Sequence, residues 1–208
     1  MKFYGMQKMT LLDYPGYVAC TLFTGGCNFR CPFCHNALLV LELDEDYTIP
    51  EEEVLAFLKK RQGLLDGVCV TGGEPLINKD IGDFLSKVKA LGFKIKLDTN
   101  GTNPALLKEL VSQNLVDYVA VDIKNSPDKY AETVGLKSFD MSPVNETVNF
   151  LLSGAVDYEF RTTVTKQFHT VESMEEAARF IKGAKRYFLQ NFVDSGNLIG
   201  SGITGQSK

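Results

Sequence analysis

The chain has 208 residues, 44% of them hydrophobic, and 22 basic against 26 acidic residues leave a net charge of -4. That is enough apolar material for one α/β core, and nothing in the balance suggests a basic nucleic-acid footprint. No run of about 18 apolar residues occurs, so no membrane span is expected, and the first ten residues lack the uninterrupted apolar stretch of a secretory leader.

In chain order, Val18 to Thr24 reads as the first strand, and a loop with Cys27, Cys31 and Cys34 follows it. Asp44 to Tyr47 is an acidic connection. Thr48, Pro50 and Glu51 supply the cap, first-turn proline and acid of a helix start, and Val54, Leu55, Phe57 and Leu58 continue it at helical spacing. Gly67 to Thr71 is a short buried strand, and Lys79 to Leu91 a helix that Gly92 ends. Lys94 to Leu97 is the next strand and Pro104 to Gln113 the next helix. Tyr118 to Val121 is a strand, and Asn125 to Ser142 a mixed connection with a short helix. Pro143 to Leu152 is helical, Tyr158 to Val164 a strand, Val171 to Ile181 a helix and Arg186 to Leu189 the last strand. Six strand–helix units imply a parallel sheet with helices outside it. They fall short of the eight of a closed TIM barrel, so the expected fold is α/β, an open partial (βα)6 barrel. Residues 1–194 read as a single domain, and the glycine- and serine-rich stretch 195–208 as a flexible tail.

Cys27, Cys31 and Cys34 stand at the spacing C-x3-C-x2-C. Iron–sulfur clusters are held by cysteine thiolates, usually four to a cubane. Three thiolates hold three irons of a [4Fe-4S] cube and leave the fourth open, as catalytic metal sites keep a vacant position. Pro32 helps fix the path of the loop. The bland alternative is a structural Cys3His zinc site, for which His35, adjacent to Cys34, is an awkward fourth ligand. Of five cysteines, an odd number with three clustered, the pattern argues against a disulfide framework and for a reducing cytoplasm. Cys20 and Cys69 lie in apolar strands and read as core.

With Phe33 as the aromatic before the third cysteine, this loop resembles that of the radical S-adenosylmethionine (SAM) enzymes, which have an open partial barrel. His35-Asn36 after the loop resembles the glycyl-radical-enzyme activases. The stretch Leu12-Asp13-Tyr14-Pro15-Gly16 is similar to the activating proteins of anaerobic ribonucleoside-triphosphate reductase. The resemblance implies one [4Fe-4S] cluster on Cys27, Cys31 and Cys34 and bound SAM. It also implies a glycyl radical enzyme as partner, and a flavodoxin or ferredoxin as electron donor.

Position strengthens it, because ligands of parallel βα folds sit at the C-terminal ends of strands. Gly72-Gly73-Glu74, Asp98-Thr99 and Asp122-x-Lys124 end strands two, three and four. The glycines let the backbone approach a ligand closely. By resemblance, Gly72 and Gly73 bind the amino end of SAM and Glu74 anchors that loop. Asp98, Thr99 and Asp122 surround a monovalent cation beside the SAM carboxylate, and Lys124 contacts SAM. Phe33 is counted with these cofactor contacts. The family often places methionine two residues before the second Asp, where this chain has Ala120. Arg161 on the fifth strand is a further candidate for SAM or the incoming peptide, with strand parity leaving its direction open. His169 reads as a surface loop residue, and Gln190-Asn191-Phe192 offers no histidine for a nucleoside contact. Two other readings remain at this point: a radical SAM enzyme acting on a small molecule or nucleoside, such as 7-carboxy-7-deazaguanine synthase, and a non-enzymatic zinc-binding interaction module.

Overall fold

A computed structural model describes residues 1–206. The strands are β1 (Lys2–Phe3), β2 (Gly5–Thr10), β3 (Ala19–Thr24), β4 (Ile49–Pro50), β5 (Gly67–Gly72), β6 (Lys94–Thr99), β7 (Tyr118–Asp122), β8 (Asp157–Val164) and β9 (Tyr187–Asn191). The helices are α1 (Ala37–Leu41), α2 (Glu51–Lys60), α3 (Ile81–Ala90), α4 (Pro104–Ser112), α5 (Tyr130–Thr133), α6 (Ser142–Leu152) and α7 (Val171–Phe180). Seven strands form one sheet in the order β2-β3-β5-β6-β7-β8-β9. All pairings from β3 to β9 are parallel, and β2 lies antiparallel on β3. This is the expected open partial barrel with six parallel strands. Its sixth unit lacks a helix, since no helix follows β9 among the described residues.

Alternation along the strands decides what each face carries. On β6, Ile95 and Leu97 join the apolar core under the helices; on β7, Val119 and Val121 do so, and on β8, Tyr158 and Phe160. The residues between them, Lys96, Asp98, Asp122, Glu159 and Arg161, contact one another on the other face. The inner face of the half-barrel is therefore charged and the outer face apolar. At the N-terminal end of the strands, Tyr14 is 2% exposed, and its ring lies 4.8 Å from that of Tyr17 and 6.0 Å from that of Tyr118. The Leu12–Gly16 stretch thus closes the bottom of the barrel, with Asp13 accepting a 2.6 Å hydrogen bond from the Thr21 hydroxyl.

Three expectations need correction. The N-terminal strands were not foreseen, because GMQKMT has no clear apolar alternation and β2 forms by pairing with the edge of β3. Thr48 does not cap α2: Ile49 and Pro50 are extended against Lys2 and Phe3, and Pro50 takes the cap position without a side-chain bond. Glu51, Glu52 and Glu53 in the first turn and Lys59 and Lys60 in the last complement the helix dipole instead. The stretch after residue 194, expected to be a flexible tail, packs as far as residue 206. Ile203 is 7% exposed, Gly200 N–H donates to the Pro32 carbonyl at 2.7 Å, and Lys166 N–H to the Thr204 carbonyl at 2.8 Å. Gln206 bonds Asn191 and the Thr165 and His169 carbonyls. No helix of the described residues is long and apolar enough to cross a membrane.

The anchoring of this segment is measurable. Ile203→Ala should cost about 2 kcal/mol, the low end for a buried isoleucine, and lower Tm by about 4–8 °C in a chain of this size. An unchanged melting curve would mean that the segment does not pack in solution.

Candidate active site

The loop after β3 carries the three thiols, and its neighbours fix its shape. Arg30 N–H donates to the Val134 carbonyl at 2.9 Å, while the Phe29 ring lies edge-on to Phe139 at 5.2 Å and to Tyr130 at 6.4 Å. The mixed connection 125–142 is thus the bed on which the loop rests. Phe33 is 4% exposed and packs on Phe168 and His169 at 5.8 and 6.1 Å. Cys27 Sγ accepts from Phe29 N–H at 3.4 Å. Burial pushes the Cys31 thiol up to about 12 and raises Cys27 as well.

The glycines at the end of β5 are required by the protein itself. Gly72 has φ +120, and a Cβ there would overlap the Thr24 backbone; a Cβ on Gly73 would overlap the Gly26 carbonyl. This close approach lets Gly73 N–H donate to Thr24 O at 2.9 Å and Glu74 N–H to Gly26 O at 2.8 Å. Asn36 completes the seam, its amide donating to the Gly72 carbonyl at 2.8 Å. Glu74 is 1% exposed and ties β5 to β6. Its Oε1 accepts from Leu76 N–H at 3.0 Å and from the Thr99 hydroxyl at 2.6 Å, and its Oε2 from Asn100 N–H at 2.6 Å. Burial raises this carboxyl from 4.5 to about 7 against the pull of those donors.

Cys27, Cys31, Cys34, Phe33, Gly72, Gly73, Glu74, Asp98, Thr99, Asp122 and Lys124 line one cleft with about 790 Å³ of free space, solvent at its mouth included. Below it, Arg161 Nη1 donates to Asp98 Oδ2 and Nε to Asp122 Oδ1, each at 3.1 Å. Lys124 Nζ donates to Asp122 Oδ2 at 3.1 Å, and Lys96 pairs with Asp98 Oδ1. Burial works against every charge here, yet Lys124 and Arg161 outweigh it and hold the Asp122 carboxyl well below the usual range. Asp122 in turn raises Lys124.

Residues 21–181 match the family described as "Radical SAM superfamily". The chain belongs to the radical SAM superfamily. Among curated proteins it is 33% identical over 195 residues to a protein of Methanocaldococcus jannaschii provisionally named a glycyl-radical enzyme activating enzyme, covering 90% of this chain and 78% of that one. It is 28% identical over 163 residues to the 7-carboxy-7-deazaguanine synthase of Koribacter versatilis, covering 74% and 64%. Streptococcus suis SuiB, solved with its precursor peptide SuiA, matches in structure with TM-score 0.68 at 18% identity, over 86% of this chain and 40% of that one. The chain spans less than half the length of SuiB.

This is a radical SAM enzyme, and the family uses a [4Fe-4S] cluster and SAM. The site fits that pair. Cys27, Cys31 and Cys34 line one cleft, and thiolates are the donors that hold such a cube. Iron would supply what burial withholds, since a coordinating thiol is deprotonated outright. Next to the thiols lies the seam of Gly72 and Gly73, with Lys124 at the cleft wall.

Several sequence readings change in physical meaning. Gly72 and Gly73 are glycine because backbone meets backbone, as well as lining the cleft. The Thr99 hydroxyl is committed to Glu74 and to Gly101 N–H. Arg161 points inward, because Phe160 beside it belongs to the outer core. His169 is no surface residue: it is 4% exposed. Its Nδ1 accepts from Thr165 N–H at 3.0 Å, so Nε2 carries the proton given to the Lys124 carbonyl at 2.8 Å. Burial lowers its pKa, in keeping with this neutral ring. Cys20 and Cys69 are fully buried, as read. Sequence reasoning passed over Lys96, the clamping role of Asn36, and the packing of His35, which stacks on Phe192 at 5.1 Å and meets Ser195 at 3.2 Å. An alternation count on Lys94–Thr99 would have flagged Lys96, since it shares a face with Asp98.

Glu74→Gln should set an N–H donor against an N–H donor, at a cost of about 1–3 kcal/mol, and lower Tm by about 2–12 °C. The folded value of Glu74 stands above the unfolded one, so its contribution to stability is whole below about pH 4.5 and falls as pH rises toward 7. Urea midpoints at about pH 5 and about pH 8 should show that decline in the wild type and a shallower one in the variant.

Proposed function

We propose that this enzyme activates a glycyl radical enzyme, of the anaerobic ribonucleoside-triphosphate reductase class, by removing a Cα hydrogen from one glycine of that partner. The observation that carries the reading is the match over 90% of this chain, and 78% of the relative, to a protein named as such an activating enzyme. His35-Asn36 and Leu12–Gly16 support it: Asn36 clamps Gly72 beside the thiols, and Tyr14 closes the barrel floor. When bound, the cluster and SAM together supply a 5'-deoxyadenosyl radical, formed with methionine when one electron enters the sulfonium.

The chain's own residues would bind and orient. Cys27, Cys31 and Cys34 would hold the cluster, and the Gly72–Gly73 backbone would present the amino end of SAM to it. Lys124 would meet the SAM carboxylate, kept cationic by Asp122. Phe33 and Val40, both buried at the cleft wall, would keep water from the reacting centre. No side chain is asked for general acid–base work. A flavodoxin or ferredoxin would deliver the electron. The open side of the partial barrel, between edge strands β2 and β9, would admit a peptide loop.

A second reading is favoured by the 7-carboxy-7-deazaguanine synthase relative: the same core acting on a small nucleoside-like molecule. The two separate in one experiment. Anaerobically reconstituted, dithionite-reduced enzyme with SAM and intact anaerobic ribonucleotide reductase should give a glycyl-radical EPR doublet and an equivalent amount of 5'-deoxyadenosine, and Cys31→Ala should give neither. SAM cleavage without a doublet on the reductase or on any glycine-loop peptide would remove the activase reading and leave the small-molecule one.

A further inference from the structure

The two aspartates that the family resemblance assigns to a free monovalent cation already have a cationic side chain on every carboxylate oxygen. Asp98 and Asp122 offer four carboxylate oxygens, and each accepts from a cationic side chain: Lys96 and Arg161 on Asp98, Arg161 and Lys124 on Asp122. The third residue of that set, Thr99, spends its hydroxyl on Glu74. A hard cation binds several oxygen ligands at once, and here it would have to sit among three cationic side chains with no net negative charge left to hold it.

The charges balance without it. Asp98, Asp122 and Glu159 face Lys96, Lys124 and Arg161; the Tyr118 hydroxyl donates to the other oxygen of Glu159, and Arg186 donates to that hydroxyl. Lys96 is the telling member. It is 1% exposed on a central strand of the sheet, its ammonium reaches Asp98, and its only other hydrogen-bond partner among the described residues is Cys69 Sγ at 4.0 Å. A buried lysine is costly unless paired, so it answers to Asp98 and to nothing else.

We infer that Lys96, with Arg161, is a built-in replacement for the free cation: a tethered ammonium that fixes Asp98 on the cleft floor, so that SAM binding needs no alkali metal. Lys96 is a positioning residue, since it acts through Asp98 and does not reach the cleft wall. The inference rests on membership of the radical SAM superfamily and not on the glycyl-radical reading. It therefore survives if the partner proves to be a small molecule.

The test is the SAM dissociation constant of the cluster-loaded enzyme, measured anaerobically by titration calorimetry. Buffers would contain sodium, potassium or tetramethylammonium as the sole cation, at matched ionic strength. Wild-type affinity should agree within about twofold across the three. A loss of more than about fivefold in tetramethylammonium, restored by potassium or sodium, would overturn the inference. Lys96→Ala opens a cavity where the ammonium lay. Its affinity should fall about tenfold in tetramethylammonium and recover at least half of that on adding ammonium or potassium, a rescue that a merely structural lysine would not show. Loss without rescue in a variant with a native circular dichroism spectrum would also overturn it. Should Lys96→Ala fail to fold, the wild-type comparison decides alone. Failure of the radical SAM core itself reads differently, as no SAM binding in any buffer.

Discussion

Everything at the rim depends on one contact between two stretches of bare backbone. Gly26, just before the first thiol, and Gly73, just after β5, lie so close that neither a side chain nor a shift of a residue fits between them. From that approach follow the hydrogen bonds of Gly73 and Glu74 to the Thr24–Gly26 backbone and the Asn36 clamp on Gly72. The thiol loop and the glycine strand end become one surface. Glu74 then carries the link to β6 through Thr99 and Asn100, so three successive strand ends are fixed together before any ligand arrives.

Beneath that surface the half-barrel solves an electrostatic problem. An open barrel has a face that helices cannot cover, and here it is filled by paired charges and not by apolar layers. Each charge is buried at a cost that its partner must offset. The arrangement achieves this by giving every carboxylate oxygen of Asp98 and Asp122 a cationic donor. Such a floor is rigid and polar. Rigidity of this kind is what a site needs when it works by placing a reactive cofactor atom against a target hydrogen.

The periphery contributes support of a different sort. His169, a neutral ring held by Thr165, grips the backbone carbonyl of Lys124 and braces Phe33. The C-terminal segment returns over the thiol loop through Gly200 on Pro32 and Phe192 on His35. These residues touch the thiol loop and the Lys124 backbone, so their part is to hold the thiols in register with the cleft wall.

The sequence by itself determined the local chemistry and the order of elements. The thiol spacing, the glycine pair, the acidic strand ends and the strand–helix alternation are all properties of short windows, in which neighbouring residues settle the outcome. From these the open parallel barrel and the radical SAM family were legible, and so were the buried positions of Cys20 and Cys69. Tertiary structure alone decided what depends on residues far apart in the chain. The direction of Arg161 was set by which face of β8 the helices claim. The strand at Gly5–Thr10 exists because β3 offers an edge, and Thr48 lost its cap because β1 pairs with Ile49 and Pro50. The packing of residues 195–206 came from surfaces that a glycine-rich composition does not reveal. Lys96 is the sharpest case: alternation puts it on the face of Asp98, but only closure of the sheet around that face, with Arg161 brought alongside, buries it beneath the site.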